Sequence, residues 1–422
     1  GRDSVGARRR ETEGCRPNKR PQGKMRLGIG GEGMNKKLPV LGLCLALLLT
    51  AMIFAGCGGE KKQADVIKIG ADLEMTGGNA TFGQSAANGA KLAIKEVNAK
   101  GGVLGKQLTL IVADNKSEAA EAANAMQKLV TQDKVVAVIA PIASSSVMAA
   151  APINLQAKVL AISPTASNPK VTVDPDTKKV REFVFRAAFI DPFQGSVMAN
   201  FATRSLKAKT AAIYIDNSSD YAKGLAQFFE ETFVKNGGKI VAKEAYLQKD
   251  TDFKATLTKI KGQNHDVMFV PGYYQEVGLI ARQAREMGMK LPLMGGDGWD
   301  SAKLAEIATP AAINNGFFSN HYSPDEKSPA VTAFVEAYKK EYNSVPDAFA
   351  ALSYDATRMI IEAMKKANSA DPVKIKDELA KTKNFAAVSG SISFSENHDP
   401  VKSAVIIEMK DGKLTFREKV TP

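Results

Sequence analysis

Two hydroxyl-rich turns and one glycine-framed carboxylate carry the chemistry this sequence offers. Pro141-Ile142-Ala143-Ser144-Ser145-Ser146 follows the apolar run Val135–Ala140 and leads into Val147-Met148-Ala149-Ala150. Three hydroxyls and the open N–H groups of a helix start suit a carboxylate or a phosphate, and the same residues also read as a plain helix cap. Ser163-Pro164-Thr165-Ala166-Ser167-Asn168-Pro169 follows the next apolar run, Val159–Ile162. It either completes that anion site or forms an ordinary proline turn. In the second half, Val267–Val270 ends at Pro271-Gly272-Tyr273-Tyr274-Gln275-Glu276, and Leu291–Met294 ends at Gly295-Gly296-Asp297-Gly298-Trp299-Asp300. Asp297 suits an ammonium, with a tyrosine oxygen as a further acceptor; its bland alternative is a solvated loop residue. An anion-binding turn opposite a cation-binding turn suits a zwitterion, with both charges paired, because an unpaired buried charge costs several kcal/mol.

Catalysis finds little support. Three His and three Cys in 422 residues cannot assemble a multi-histidine metal centre or a zinc ribbon. His265, His321 and His398 lack catalytic partners beside them in the sequence, no G-x-S-x-G elbow occurs, and no Cys follows Cys57. The expectation is therefore a binding protein with no cofactor and no metal, and not an enzyme. Two glycine-rich stretches do not change this. Gly28-Ile29-Gly30-Gly31-Glu32-Gly33 has neither the leading strand nor the following helix of a dinucleotide site, and Gly101–Lys106 departs from a phosphate loop at Lys100 and Gln107.

The elements that must position these residues follow from hydrophobic period. Short apolar runs (Val66–Leu73, Leu108–Ala113, Val135–Ala140, Val159–Ile162, Ala211–Ile215, Val267–Val270 and Leu291–Met294) alternate with helical patterns such as Ala90, Ile94 and Val97, or Val277, Ile280, Ala284 and Met287. Continuous apolar strands with helices between them predict parallel sheets covered on both faces. The alternation falls into two blocks, about 65–188 and 189–319, with a mixed tail, so the fold class is α/β with two doubly wound lobes. Ligands of such sheets bind beyond the carboxyl ends of the strands, where the turns above lie. A chain of 422 residues, 44 % hydrophobic and 24 % charged, agrees with two cores. The net charge of +12 is mostly local: residues 1–56 hold 11 Lys and Arg against 4 Asp and Glu, leaving 46 against 41 elsewhere. That diluted excess, without a basic helix carrying aromatics, disfavours nucleic acid.

At the N-terminus, Asn35, Lys36 and Lys37 precede the nearly uncharged run 38–55 and then Gly56-Cys57-Gly58-Gly59. A basic head, an apolar middle and small residues at a cut site describe a secretory signal. Phe54-Ala55-Gly56-Cys57 is similar to a bacterial lipobox, which implies lipid attached to Cys57 and an exported chain anchored to the cell membrane on its periplasmic or extracellular face. Met34 is the better start, so residues 1–33 read as an upstream leader, 34–56 as the signal and 57–64 as the anchor linker. With no Cys beyond Cys57, stability rests on packed cores.

Over nearly all of 65–420 the chain resembles the leucine/isoleucine/valine-binding protein family of ABC-transporter substrate-binding proteins. The resemblance is carried by Asn98-Ala99-Lys100-Gly101-Gly102-Val103-Leu104-Gly105, Ser144–Ser146, Ile162-Ser163-Pro164, Asp220-Tyr221-Ala222-Lys223-Gly224-Leu225-Ala226, Gly272-Tyr273-Tyr274 and Arg282-Gln283-Ala284-Arg285. It implies a type I periplasmic-binding-protein fold joined by a three-strand hinge, with 65–188 plus 320–392 as the N-terminal lobe and 189–319 plus 393–422 as the C-terminal lobe. Hinge strands are expected near Ala187–Asp191, Asn320–Pro324 and Gly390–Phe394. The resemblance further implies that Ser144, Thr165, Ala166 and Ser167 hold an amino-acid carboxylate, that Tyr273 and Asp297 hold the ammonium, and that Phe82, Tyr221 and Gly298 lie near the side chain. The family commonly has an acid one carbon longer at Asp297, implying a deeper ammonium or a bridging water, and a smaller apolar residue at Trp299. The implied function is delivery of a small, branched-chain aliphatic amino acid to an ABC permease with its ATPase subunits, by a monomer. An amide or aromatic acid as ligand, or a sensor acting with a separate partner chain, are the alternatives.

Overall fold

A computed structural model describes residues 66–422, and the expected leader, signal and anchor linker with Cys57 lie outside the described residues. The first sheet is built from β1 (Ile67–Leu73), β2 (Leu108–Asp114), β3 (Ala137–Ile139), β4 (Leu160–Ser163) and β5 (Val184–Arg186), all parallel in the order β2-β1-β3-β4-β5. β3 and β4 are buried at every position, which is why they read as unbroken apolar runs. Fully buried side chains such as Ile69, Ile139 and Ile162 each contribute about 1.5–3 kcal/mol. The crossovers are α1 (Ala80–Ala99), α2 (Ala119–Lys128) and α3 (Ser144–Ala157).

After β5 the chain crosses at 187–190 and enters α4 (Asp191–Arg204). It then alternates β6 (Thr210–Asp216), α5 (Asp220–Lys235), β7 (Lys239–Tyr246), α6 (Lys254–Lys261), β8 (Val267–Phe269), α7 (Tyr274–Glu286), β9 (Leu293–Gly295), α8 (Ala302–Ala308) and β10 (Gly316–Asn320). A second crossing at 321–323 returns it to the first sheet as α9 (Pro329–Tyr342), α10 (Ala348–Ala367), α11 (Pro372–Ala380) and the hairpin β11 (Phe385–Ala387) with β12 (Gly390–Ile392). α10 lies against α1 so closely that a Cβ on Gly89 would sit 2.1 Å from the Ala350 carbonyl oxygen, which requires glycine there. A third crossing at 401–403 leads to β13 (Ala404–Lys410) and β14 (Lys413–Val420).

Two features differ from the sequence expectation. The second sheet, β14-β13-β10-β9-β8-β6-β7, is parallel only from β10 to β7, because β13 and β14 join antiparallel through a tight turn at Asp411-Gly412. A connection that short permits no parallel pairing. The third crossing also lies later than Gly390–Phe394. Phe394 packs edge-on against Phe185 at 5.2 Å and Asp399 pairs with Arg186 at 2.7 Å, which keeps 393–400 on the first sheet.

Candidate functional site

The turns after β3, β4, β8 and β9 meet around one small cavity. Ile142, Ser144, Thr165, Ala166 and Ser167 form one wall, Tyr221, Tyr273, Asp297 and Gly298 the other, and Phe349 of α10 closes the side.

The first wall is a donor surface. α3 starts at Ser144, so the amides of its first turn have no helix carbonyl to bond, and the positive end of the helix lies at the cavity. Behind it, buried Glu74 accepts the N–H groups of Ile142 at 3.0 Å and Ala143 at 3.1 Å. Burial pushes that carboxyl up to about 7, against the pull of the two amides. Ser144 Oγ accepts from the Asn168 N–H at 3.3 Å and keeps its own proton free, whereas the Thr165 hydroxyl donates to the Ile142 carbonyl at 3.2 Å. Ala166 departs from its expected carboxylate role. Its N–H donates to Ser163 Oγ at 3.0 Å and its carbonyl accepts from Arg186 Nη1 at 2.8 Å, so both backbone groups are committed to the turn. Arg186, fully buried, also donates to Thr172 Oγ1 at 2.8 Å and pairs with Asp399 at 2.7 Å. Burial lowers its pKa and Asp399 opposes that shift.

The second wall is an acceptor surface. Asp297 sits on a short 3₁₀ turn, Asp297–Trp299, with Gln194 Nε2 donating to Oδ1 at 2.8 Å and His321 Nε2 lying 3.2 Å from Oδ2. Burial lowers the His321 pKa more than Asp297 raises it, so the contact is a hydrogen bond from a neutral imidazole. Tyr221 OH accepts the Gly298 N–H at 3.3 Å, and its ring stacks on Tyr273 at 5.4 Å. Burial raises both phenols, so they stay protonated. A Cβ on Gly298 would fall 2.5 Å from the Gly272 carbonyl oxygen and 3.1 Å from the Tyr273 ring, so only glycine leaves this wall open.

Phe82 does not reach the cavity. Its helix face turns it into the core, where it stacks under Phe349 at 3.9 Å and meets Tyr274 edge-on at 5.0 Å. Trp299 likewise points away, its Nε1 donating to the Val270 carbonyl at 3.0 Å and its indole filling the space beside Gly295. Ile142, Phe349, Gln194 and His321 were not singled out as site residues from the sequence. Ile142 lies inside a turn already selected, while the other three come from distant segments with no local signal.

The walls are held together across the cleft. Asp220 bonds Ser145 Oγ at 3.1 Å, its carbonyl accepts from Asn168 Nδ2 at 2.7 Å, Thr81 meets Ser301 at 3.0 Å, and Asp300 Oδ2 accepts the Ala348 N–H at 2.8 Å. Among the described residues no group of three His, Cys, Asp or Glu is placed to hold a metal ion, and no helix is long and apolar enough to cross a membrane.

Comparison with known proteins agrees with this architecture. Residues 66–413 match the family described as periplasmic binding protein. A leucine-, isoleucine-, valine-, threonine- and alanine-binding protein of Pseudomonas aeruginosa is 30 % identical over 355 residues, covering 84 % of this chain and 92 % of the relative. The crystal structure of the branched-chain amino acid transporter substrate-binding protein LivJ of Streptococcus pneumoniae, in complex with isoleucine, matches with a TM-score of 0.80 and 41 % identity, covering 85 % of this chain and all of that one. A solute-binding protein of an ABC transporter from Rhodopseudomonas palustris, in complex with 3,4-dihydroxybenzoic acid, matches with a TM-score of 0.73 and 27 % identity over 84 % of this chain and 97 % of its own.

Proposed function

The chain belongs to the periplasmic binding protein family, and from that premise we propose that it is the substrate-binding protein of an ABC importer, taking a small aliphatic amino acid between its lobes. The observation that carries this reading is the polarity of the cavity. The open end of α3 with the Ser144 hydroxyl forms one pole and the Asp297 carboxylate the other, with Ile142, Phe349 and Gly298 between them. A carboxylate meets N–H groups and a helix dipole, an ammonium meets Asp297 and acceptor oxygens, and the apolar remainder meets Ile142 and Phe349. Ser144, Thr165 and Ser167 hold the carboxylate end, Tyr273 and Asp297 the ammonium, and Tyr221 and Gly298 border the side chain. A ligand touching both lobes has differential affinity for the closed state, which is what drives closure. Micromolar binding, about −8 kcal/mol, is within reach of such contacts.

The family is a solute-binding type, and no catalytic constellation is needed for this task. We assign residues 66–188 and 321–400 to one lobe and 191–320 with 404–422 to the other, which rock about the three crossings. Lipid on Cys57 after export anchors the protein to the membrane, from where it delivers ligand to a permease and its ATPase subunits as a monomer. The aromatic-acid reading has one specific support, the dihydroxybenzoate-bound relative, together with the stacked Phe82–Phe349 and Tyr221–Tyr273 pairs near the cavity. Calorimetric titration of residues 58–422, unfolded and refolded to remove carried-over ligand, against aliphatic amino acids, amides and benzoates separates them. Saturable binding of leucine, isoleucine or valine is expected, and binding of benzoates alone would overturn the assignment.

A further inference from the structure

Four buried side chains beside the cavity keep polar atoms without a well-formed hydrogen bond: the Ser167 hydroxyl, both Asp191 oxygens, Gln194 Oε1 and His321 Nδ1. Buried polar atoms without a partner in the protein are ones that a ligand or a proton can satisfy. Asp191 opens α4, its N–H donates to the Ser167 carbonyl at 2.9 Å, and its carboxyl faces the Ser167 hydroxyl, placing it directly behind a cavity-lining residue. On its other side Gly224 packs so closely that a Cβ there would come within 2.8 Å of Asp191 Oδ2.

The three hydroxyls of the first wall differ in where their protons go. Ser144 accepts from an amide and retains its proton for a ligand, Thr165 gives its proton to Ile142, and the acid facing Ser167 is Asp191. On the amino-acid reading above, we propose that Asp191 is a positioning residue that takes the Ser167 hydroxyl proton as a hydrogen bond, turning the serine oxygen's lone pairs toward the ligand's ammonium, and that the arriving ammonium expels a proton from Asp191 into solution. This refines the role of Ser167 from carboxylate holder to ammonium acceptor.

The charges around Asp191 set the sign. Arg186 of β5 acts on it without a hydrogen bond, being committed to Asp399, Ala166 and Thr172; Asp297 faces it from the turn after β9, and Tyr221 from α5. His321 lies one contact further away, on Asp297. Burial first, then Asp297, push Asp191 up to about 8, against the lowering by Ser167 and Arg186. Without a cation beside it, the acid is therefore protonated near neutral pH. A bound ammonium favours its ionised form, so the complex holds fewer protons and affinity rises with pH below about 8.

The test is calorimetric titration of leucine between pH 6 and 8.5, in buffers of different ionisation enthalpy, on the wild type, Asp191→Asn and Ser167→Ala. The wild type is expected to release up to about one proton per ligand, Asp191→Asn to bind about tenfold or more weakly and release none, and Ser167→Ala to bind weakly while still releasing a proton. Unchanged affinity and proton release in Asp191→Asn would overturn the proposal. Should that variant fail to fold, the wild type decides alone, since no proton exchange in any buffer would also overturn it. Failure of the underlying reading looks different: the wild type then binds no amino acid at all.

Discussion

The two walls of the cleft meet one ligand with opposite chemistry and opposite construction. The first offers backbone N–H groups and hydroxyls whose positions are fixed from behind by a buried acid and a buried guanidinium: Glu74 grips the turn at Ile142 and Ala143, and Arg186 grips the turn at Ala166. The second offers a single carboxylate whose partners, Gln194 and His321, are neutral. A surface of N–H dipoles needs rigid backbone, so the groups that brace it lie behind it. A carboxylate that must stay available to a cation can afford only neutral neighbours, because an arginine beside Asp297 would compete with the ligand.

The contrast predicts different failures on the two sides. Arg186→Met should cost about 3–5 kcal/mol of stability, since it strands Asp399 in the interior, and denaturant unfolding measures the loss. A loss below about 1 kcal/mol would show that the first wall does not depend on its buried ion. Asp297→Asn should leave the unfolding midpoint within about 0.5 kcal/mol yet weaken amino-acid binding by about 2–4 kcal/mol, read by calorimetry. Equal damage to fold and affinity would erase the distinction between the walls. Ser144→Ala should weaken binding by about 1–3 kcal/mol, and an unchanged dissociation constant would return that serine to a capping role.

A further difference lies in pH dependence. Glu74 carries a folded-state pKa near 7 against 4.5 for the ordinary group, so the folded protein binds the extra proton between those values and stability falls as pH rises through them. Asp191 and Asp347, the latter capping the start of α10, are pushed up to about 8 and about 7 and act in the same direction. Glu74→Gln should therefore flatten the decline in stability between pH 5 and 7, seen in unfolding curves across that range. A slope equal to that of the wild type would remove Glu74 from the account.

Much of the lining of this cavity was legible because strand ends are legible. Ser144, Thr165, Ser167, Tyr273, Asp297 and Gly298 all follow apolar runs directly, and the rule that ligands lie beyond strand carboxyl ends selects them without coordinates. What tertiary packing alone decides was not. Phe82 came only through the family resemblance and Phe349 carried no local signal, and the packing of α1 on α10 puts Phe349 at the cavity with Phe82 stacked beneath it. His321 has no partner near it in sequence, since Asp297 reaches it through the second crossing. Arg186 did leave a signal that went unread. A charged residue ending the strand Val184-Phe185-Arg186 must be paired, and its partner Asp399 lies beyond a hairpin that also displaced the expected third crossing. The antiparallel β13–β14 pair was hidden because a terminal hairpin carries no helix to reveal a change of direction.

The central claim is that opposite poles of one cavity hold opposite ends of one zwitterion, and trimming the ligand tests it more directly than altering the protein. Leucine, its des-amino analogue 4-methylpentanoate and its des-carboxy analogue 3-methylbutylamine should be titrated side by side into residues 58–422. The account predicts that both analogues bind about 100-fold or more weakly than leucine, because each leaves one buried pole unpaired. Binding of 4-methylpentanoate as tight as that of leucine would contradict it, since Asp297 would then hold nothing.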